Sequence, residues 1–493
     1  MSVFPGFMGG YARSQSPIAN VSTLQNWYPQ PLTPGSKGPG AFYPTPGMER
    51  FGSVSQVGGK RMFSTAASDS RMFSVHGSRL YEWFADGSAL ERGTVAIDAN
   101  PAVIFTNGEG GQQLGVCAGG NFYVLDLQTL VFTQVAFLNG KATQGGFISG
   151  YFLVFDVATG TVYQSDLYDG LTFDPLNFFQ RSTQADDWVA MFVTSLGRIL
   201  LLGSKTRDNY ENVGTFPIPF APSAAGLQPE GIAATFSVTE AGAYSCWLGT
   251  AGQSGGYKVY GAQGYRAEEL STEPIAFALS QATEAEIANA TGEAYSDQNV
   301  DFLNIYVGAF CFTFDFKSRE WHTRRSFVDA VSGQLGAWRA RWHCFAFNKH
   351  LWADSSSGVV SESDISFPTD FDGLLIPRER TTPSICIENQ MLDIGDIELI
   401  MQKGVGNPND PGMNPVIGLE ISRDGGMTWG RQRFMPVGRI GQYIRVRFQN
   451  NGSGRDIAFR WTASDPINNY RLVAMVIDLR GERGERIDLA RAA

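Results

Sequence analysis

Residues 122–132 read FYVLDLQTLVF: alternating aromatic and aliphatic residues run into an aspartate, and a large apolar residue returns six positions later. Alternation with period two is the mark of a strand with two different faces. An aspartate at the head of a tight turn accepts bonds from its own backbone, and the returning residue packs on the outgoing strand. The stretch therefore predicts one β-hairpin, with Asp126 at the turn and Phe132 on the way back.

The same pattern recurs in FLVFDVATGTV (152–162), FTFDFKSREW (312–321) and LWADSSSGVV (351–360), and more loosely in LYEWFADGSAL (80–90). It pairs Asp156 with Val162, Asp315 with Trp321, and Asp354 with Val360. Repeated hairpins at irregular spacing suit a β-propeller with insertions, because radial packing hides most sheet edges without demanding regular repeats. The expected fold is all-β, with an irregular propeller of about six or seven blades over residues 51–380; a sandwich with an odd appendage is the competing geometry. A separate C-terminal β-domain is expected over 381–479, where IELIMQKGV, VIGLEISRDGG, YIRVRFQ and RLVAMVIDL alternate.

Other segments break the rhythm. Residues 1–50, with YPQPLTPGSKGPGAFYPTPG, hold too much proline and glycine for a regular core and read as an extended arm lying on something else. Residues 275–297, rich in alanine and glutamate, place Ile275, Leu279 and Ile287 near one helical face and predict a short helical insertion. The last stretch, 480–493, alternates charge signs and reads as a solvated tail.

Composition agrees with an all-β chain: 57 glycines and 35 phenylalanines stand in 493 residues of which 17% are charged. A formal net charge of −10 gives no field favouring nucleic acid or an anionic membrane. No apolar run is long enough to span a bilayer, so stable membrane insertion is not expected. The start lacks the features of a signal peptide, and synthesis in a cytoplasm is expected. Five scattered cysteines without a CxxC pair read as a buried, reduced set.

Catalytic chemistry finds no foothold. ISRDGGMTW (421–429) contains an Asp-box, S-x-D-x-G-x-T-W, formed by Ser422, Asp424, Gly426, Thr428 and Trp429. Sialidases usually carry several such boxes around a propeller, with an arginine cluster and a tyrosine nucleophile. Here one box lies in the C-terminal region, so it reads as a structural clamp, with Thr428 and Trp429 starting a strand. Asp186 and Asp187 are adjacent, so on a strand they face opposite sides and make a poor acid–base pair. His343, in RWHCFAF, reads as a packed ring. WHTRRS (321–326) puts Trp321 beside Arg324 and Arg325, a combination that could stack on a base or sugar or form an interface. No cofactor, metal or catalytic residue is assigned.

The order of several stretches carries more than any one of them. NWYPQP (26–31), SDLYDGLTFDPLNF (165–178), GRILLLGSKT (197–206), FPIPF (216–220), YKVYGAQGYRAEELST (257–272), FTFDFKSREWHTRRS (312–326), MQKGVG (401–406) and GRIGQYIRVRF (438–448) succeed one another in this chain. In this it resembles the tail nozzle or hub proteins of short-tailed bacteriophages, the packaged DNA stabilisation family. It departs from them at QNVDFLNIYV (298–307) and TRDNYENVG (206–214), both expected at surface loops. The resemblance implies a non-enzymatic virion protein: a homo-hexameric ring on the head-to-tail adaptor, closed distally by a tail needle or plug and flanked by tailspikes or fibres. Double-stranded DNA would pass through its channel without specific binding. The alternative from the residues alone is a glycan-binding or glycan-hydrolysing propeller.

Overall fold

A computed structural model describes residues 2–487 apart from 33–39, 66–70, 109–110, 182–185, 225, 252–254, 330 and 482–483. From residue 59 the chain folds into successive antiparallel four-stranded meanders. Their first strands are Gly59–Ser64, Val103–Thr106, Gln144–Ile148, Trp188–Val193, Thr239–Ala241, Thr291–Asp297 and Ala340–Ala346, which open blades 1 to 7. Each touches the next around an axis, the fourth reaching the fifth blade through the 3₁₀ turn Thr235–Ser237, and the seventh returns to the first. Six blades are discrete four-stranded sheets; blade 6 is a further meander whose last strand, Glu320–Asp329, continues into an eleven-stranded sheet.

The hairpin register is the one the repeat predicts. Phe132 lies opposite Leu125, Val162 opposite Phe155, Trp321 opposite Phe314 and Val360 opposite Ala353. Rings stack where both positions allow it, as Tyr123 does on Phe132 with centroids 5.2 Å apart.

The expectation of an N-terminal arm is corrected. Gly47–Ser53 is the outermost strand of blade 7, paired with Val359–Asp364, so the chain's start closes the ring built by its later part. Upstream, Val21–Gln25 pairs with Arg378–Thr381, while Trp27–Pro31 and Gly40–Pro44 extend a sheet containing Leu392–Met401 and Leu472–Arg480. These two sheets form a β-sandwich. Its core joins Phe4, Phe7, Leu24, Trp27 and Phe42 to Ile397, Leu419, Trp461 and Tyr470. Residues 381–479 are thus only part of the C-terminal unit, because largely buried, proline-containing strands from the N-terminus supply apolar side chains it needs.

Three other boundaries move. The helical insertion is two helices, α1 (Glu273–Ser280) and α2 (Glu284–Ala288), with Ile275, Leu279 and Ile287 buried as the periodicity requires. A capping box between Thr283 and Glu286 starts α2. Residues 291–297 are the inner strand of blade 6 rather than helix. The two departures from the family pattern fall largely within blade strands, Val300–Val307 and Arg207–Asn212, rather than on loops. In the charged tail, Arg480 and Arg486 both reach Asp478 at 3.2 Å, while residues 482–483 and 488–493 lie outside the described residues. Four cysteines are buried, and Cys386 is exposed.

Candidate functional site

The recurrent aspartates are turn clamps. Asp126 accepts from the N–H groups of Gln128 and Thr129 (2.9 and 2.7 Å), and Asp315 from those of Lys317 and Ser318 (2.8 and 3.1 Å). Asp156 accepts from the Ala158 N–H and the Thr159 hydroxyl. Four residues after the aspartate the chain turns left-handed, at Leu130 (φ 61°), Gly160 (φ 62°) and Arg319 (φ 56°). Asp156, Asp315 and Asp354 are all buried, and Asp354 differs in that Arg339 binds both of its carboxylate oxygens. Asp86, Asp126 and Asp315 join third to fourth strands, whereas Asp156 and Asp354 join second to third. Successive turns of a meander alternate ends, so the motif marks both rims of the ring and does not index blades.

The Asp-box is a clamp of the same kind. Ser422 Oγ donates to Asp424 Oδ1 (2.7 Å) and accepts from the Gly426 N–H (2.8 Å), and Thr428 donates its N–H (2.9 Å) and hydroxyl (2.5 Å) to Asp424. Partial burial pushes the Asp424 carboxyl up, but the bonds from Thr428 and Ser422 outweigh it and bring the pKa down to about 2. Gly426 has φ 91°, and a Cβ there would sit 2.6 Å from Val21, so the turn is pressed against the N-terminal strand. Thr428 and Trp429 do not start a strand; the next begins at Arg433. Trp429 instead lies under the Arg460 guanidinium, 3.9 Å away.

Trp321 and Arg324 are corrected as contact residues: both are buried. Trp321 Nε1 donates to the Leu270 carbonyl (2.8 Å), and the Arg324 guanidinium lies 4.8–5.3 Å from the rings of Trp338, Phe302 and Tyr295. Arg325 is partly exposed but donates to the Leu335 carbonyl (2.8 Å) and covers Phe310, holding the Gln334–Ala337 strand. Alternation could not reveal this, since both faces of a blade are covered. Asp186 is likewise structural, accepting the N–H groups of Ser204, Lys205 and Thr206.

Two concave surfaces lie among the inner strands of the blades, at the propeller axis. One cavity of ≈ 590 Å³ is bordered by Phe63, Phe105, Gln144, Val193 and Phe236 from blades 1 to 4 and the approach to blade 5. Gln144 accepts from the Met191 N–H and donates to the Thr235 carbonyl, bridging across this space. A second, ≈ 600 Å³, is bordered by Glu240, Tyr295, Ser296, His343, Phe345 and His350.

Around the axis lies a group of titratable residues not identified from sequence. Glu293 of blade 6 is buried, accepts from the His343 N–H (3.3 Å) and lies 3.6 Å from Arg61 of blade 1. Burial raises its pKa to about 7 against the opposing pull of Arg61. His343 is lowered to about 3 by burial and by His350. Its Nε2 is 3.0 Å from His350 Nδ1. A signal existed: His343 and His350 flank the left-handed pair Phe347 and Asn348 at a hairpin turn, which sets them diagonally on one face.

Comparison with known proteins gives one family over both domains. Residues 8–365 match the family described as Bacteriophage P22 Gp10, beta-propeller, and residues 377–475 match Bacteriophage P22 Gp10, beta-sandwich. No curated protein sequence matches the chain. Among solved structures it is similar to a virginiamycin B lyase from Staphylococcus aureus (8% identity, 64% of this chain and 98% of the other, TM-score 0.42). It is also similar to PorZ, a surface component of the type-IX secretion system of Porphyromonas gingivalis (14% identity, 80% of this chain and 53% of the other, TM-score 0.36). Likeness at this level carries no functional argument.

Proposed function

The chain belongs to the bacteriophage P22 Gp10 family, through both its propeller and its sandwich, and on that premise we propose that it forms the hexameric nozzle of a short phage tail. It is a structural protein of the phage tail. In the proposed assembly six copies extend the channel below the portal, bind the head-to-tail adaptor on one side, and meet a needle or plug on the other. Tailspikes or fibres are supported on the flank. The closed nozzle retains the packaged genome and conducts it at ejection.

Family membership over nearly the whole chain is the observation that carries this reading. Charge gives it a physical sense: six copies at −10 carry 6 × −10 = −60, and a wall of that sign repels phosphates and lets the duplex slide. In the proposed ring the channel is the space enclosed between copies. The glycan reading loses its main support, since Trp321 and Arg324, the side chains suited to stack on a sugar, are buried. The test is a phage unable to make this chain. Heads should fill and then lose DNA on dilution, with retention restored when the protein is added back; filled heads that keep their genome without it would contradict the reading.

A further inference from the structure

We propose that His343 and His350 form a two-imidazole site for a tetragonal divalent transition ion, Cu²⁺ or Ni²⁺, opening into the ≈ 600 Å³ cavity at the propeller axis. The site is independent of the nozzle reading. His343 lies on the inner strand of blade 7 and His350 on the second, paired so that His343 faces Trp352 and Phe345 faces His350. The two histidines are therefore diagonal neighbours on one face of the hairpin, the arrangement in which long side chains of an antiparallel pair meet.

His343 Nε2 and His350 Nδ1 are 3.0 Å apart, a hydrogen bond in the free chain that a bound ion would replace. A ring nitrogen binds such ions at about 2.0–2.1 Å, so one ion can touch both with an angle of roughly 90° at the metal. That angle suits square-planar or tetragonal coordination, which Cu²⁺ and Ni²⁺ prefer, better than the tetrahedron of zinc, and imidazole is a fitting donor for both. Both facing nitrogens must then be bare. His350 would carry its proton on Nε2, where the Asp297 carboxylate, 3.7 Å away and beyond hydrogen-bond distance, favours it electrostatically, and His343 would carry its proton on Nδ1. No net proton is released, and water from the cavity fills the remaining positions.

Packing limits the alternatives. His343 is held between Tyr295 and Trp352, with centroids 5.4 and 4.9 Å away, and His350 lies 5.0 Å from Phe345. The other two histidines, His76 and His322, are fully buried, so they offer no competing surface site.

The experiment uses the full chain without a histidine tag, with Cys386→Ser to remove the exposed thiol. Cu²⁺ is titrated by calorimetry, and the complex is examined by electron paramagnetic resonance. The expected result is one saturable ion per chain with splitting from two imidazole nitrogens, and a raised melting temperature. His350→Gln should abolish that binding, and Asp297→Asn should weaken it by less than about tenfold, while both variants melt as the parent does in chelator. Absence of saturable binding, or binding and nitrogen splitting unchanged in His350→Gln, would overturn the proposal.

Discussion

The propeller and the sandwich stand in opposite relations to the chain. Each of blades 1 to 5 is one continuous stretch, and turns such as those at Asp86, Asp126 and Asp156 are clamped by aspartate. The sandwich joins Ser2 to Ile477, Thr23 to Thr381 and Leu472 to Phe42, residues hundreds of positions apart. Local hairpins close small loops at little entropic cost, whereas the sandwich forms only after both ends of the chain are available. The two units also share a segment: the N-terminal residues that complete the sandwich run directly into the strand that closes blade 7. Closure of the ring and completion of the sandwich are therefore linked through one stretch of backbone.

The strongest way to break this comparison is Trp27→Ala. Trp27 is fully buried in the sandwich core and donates to the Tyr470 carbonyl (2.9 Å), and its loss should cost about 3–5 kcal/mol. Hydrogen exchange should accelerate in Leu392–Met401 and Leu472–Arg480 while Gln113–Ala118 in blade 2 stays protected. Equal acceleration in both would mean that the units do not differ as described. Within the propeller, Asp354→Ala should cost about 3 kcal/mol, because Arg339 keeps only the exposed Asp372 as a partner and the Ser356 and Ser357 donors lose their acceptor. Urea unfolding of the variant measures this.

Next in size is a pH effect at the junction of blades 6, 7 and 1. Glu293 has its pKa raised from 4.5 to about 7, so the native state holds a proton that the unfolded chain releases. Stability should then fall as pH rises from about 4.5 to 7, by on the order of 3 kcal/mol, and level off above. Glu293→Gln should flatten that decline in melts at pH 5 and pH 7.5; an unchanged slope would remove Glu293 from the account.

Smaller effects sharpen the contrast between clamps. Asp424→Ala in the sandwich should cost about 1 kcal/mol, since the Thr428 donors it serves are exposed and water can replace it. The carboxylate's lowered pKa adds that this contribution is present above pH 4 and fades toward pH 2. Asp126→Ala, whose Gln128 and Thr129 donors are exposed to water, should shift the urea midpoint least of the three. If Asp126→Ala matched Asp354→Ala in urea unfolding, the turn motif rather than its burial would set the energy.

What the sequence disclosed follows the same division. Hairpins such as 122–132 were legible because turn chemistry and alternation lie within a dozen residues. Ile275, Leu279 and Ile287 were legible for the same reason. The blade 7 strand Gly47–Ser53 was hidden, since GMERFGS carries little alternation and its partner lies some three hundred residues on. Trp27, Phe42 and their neighbours were hidden behind prolines that break regular patterns yet sit at strand positions the sandwich accepts. Arg324 looked like a surface cation because its aromatic cage draws on blade 6 and the approach to blade 7, which only the fold brings together. The Asp-box was legible as a clamp, but its partner Val21 was not.

The central claim is that this chain is a ring component at the tail of a phage. Immunogold labelling of intact parent particles, imaged by electron microscopy before and after genome release, tests it most directly. The account predicts gold confined to the tail below the portal vertex in both states. Particles that carry no label there, with an antibody that recognises the folded protein, would contradict it.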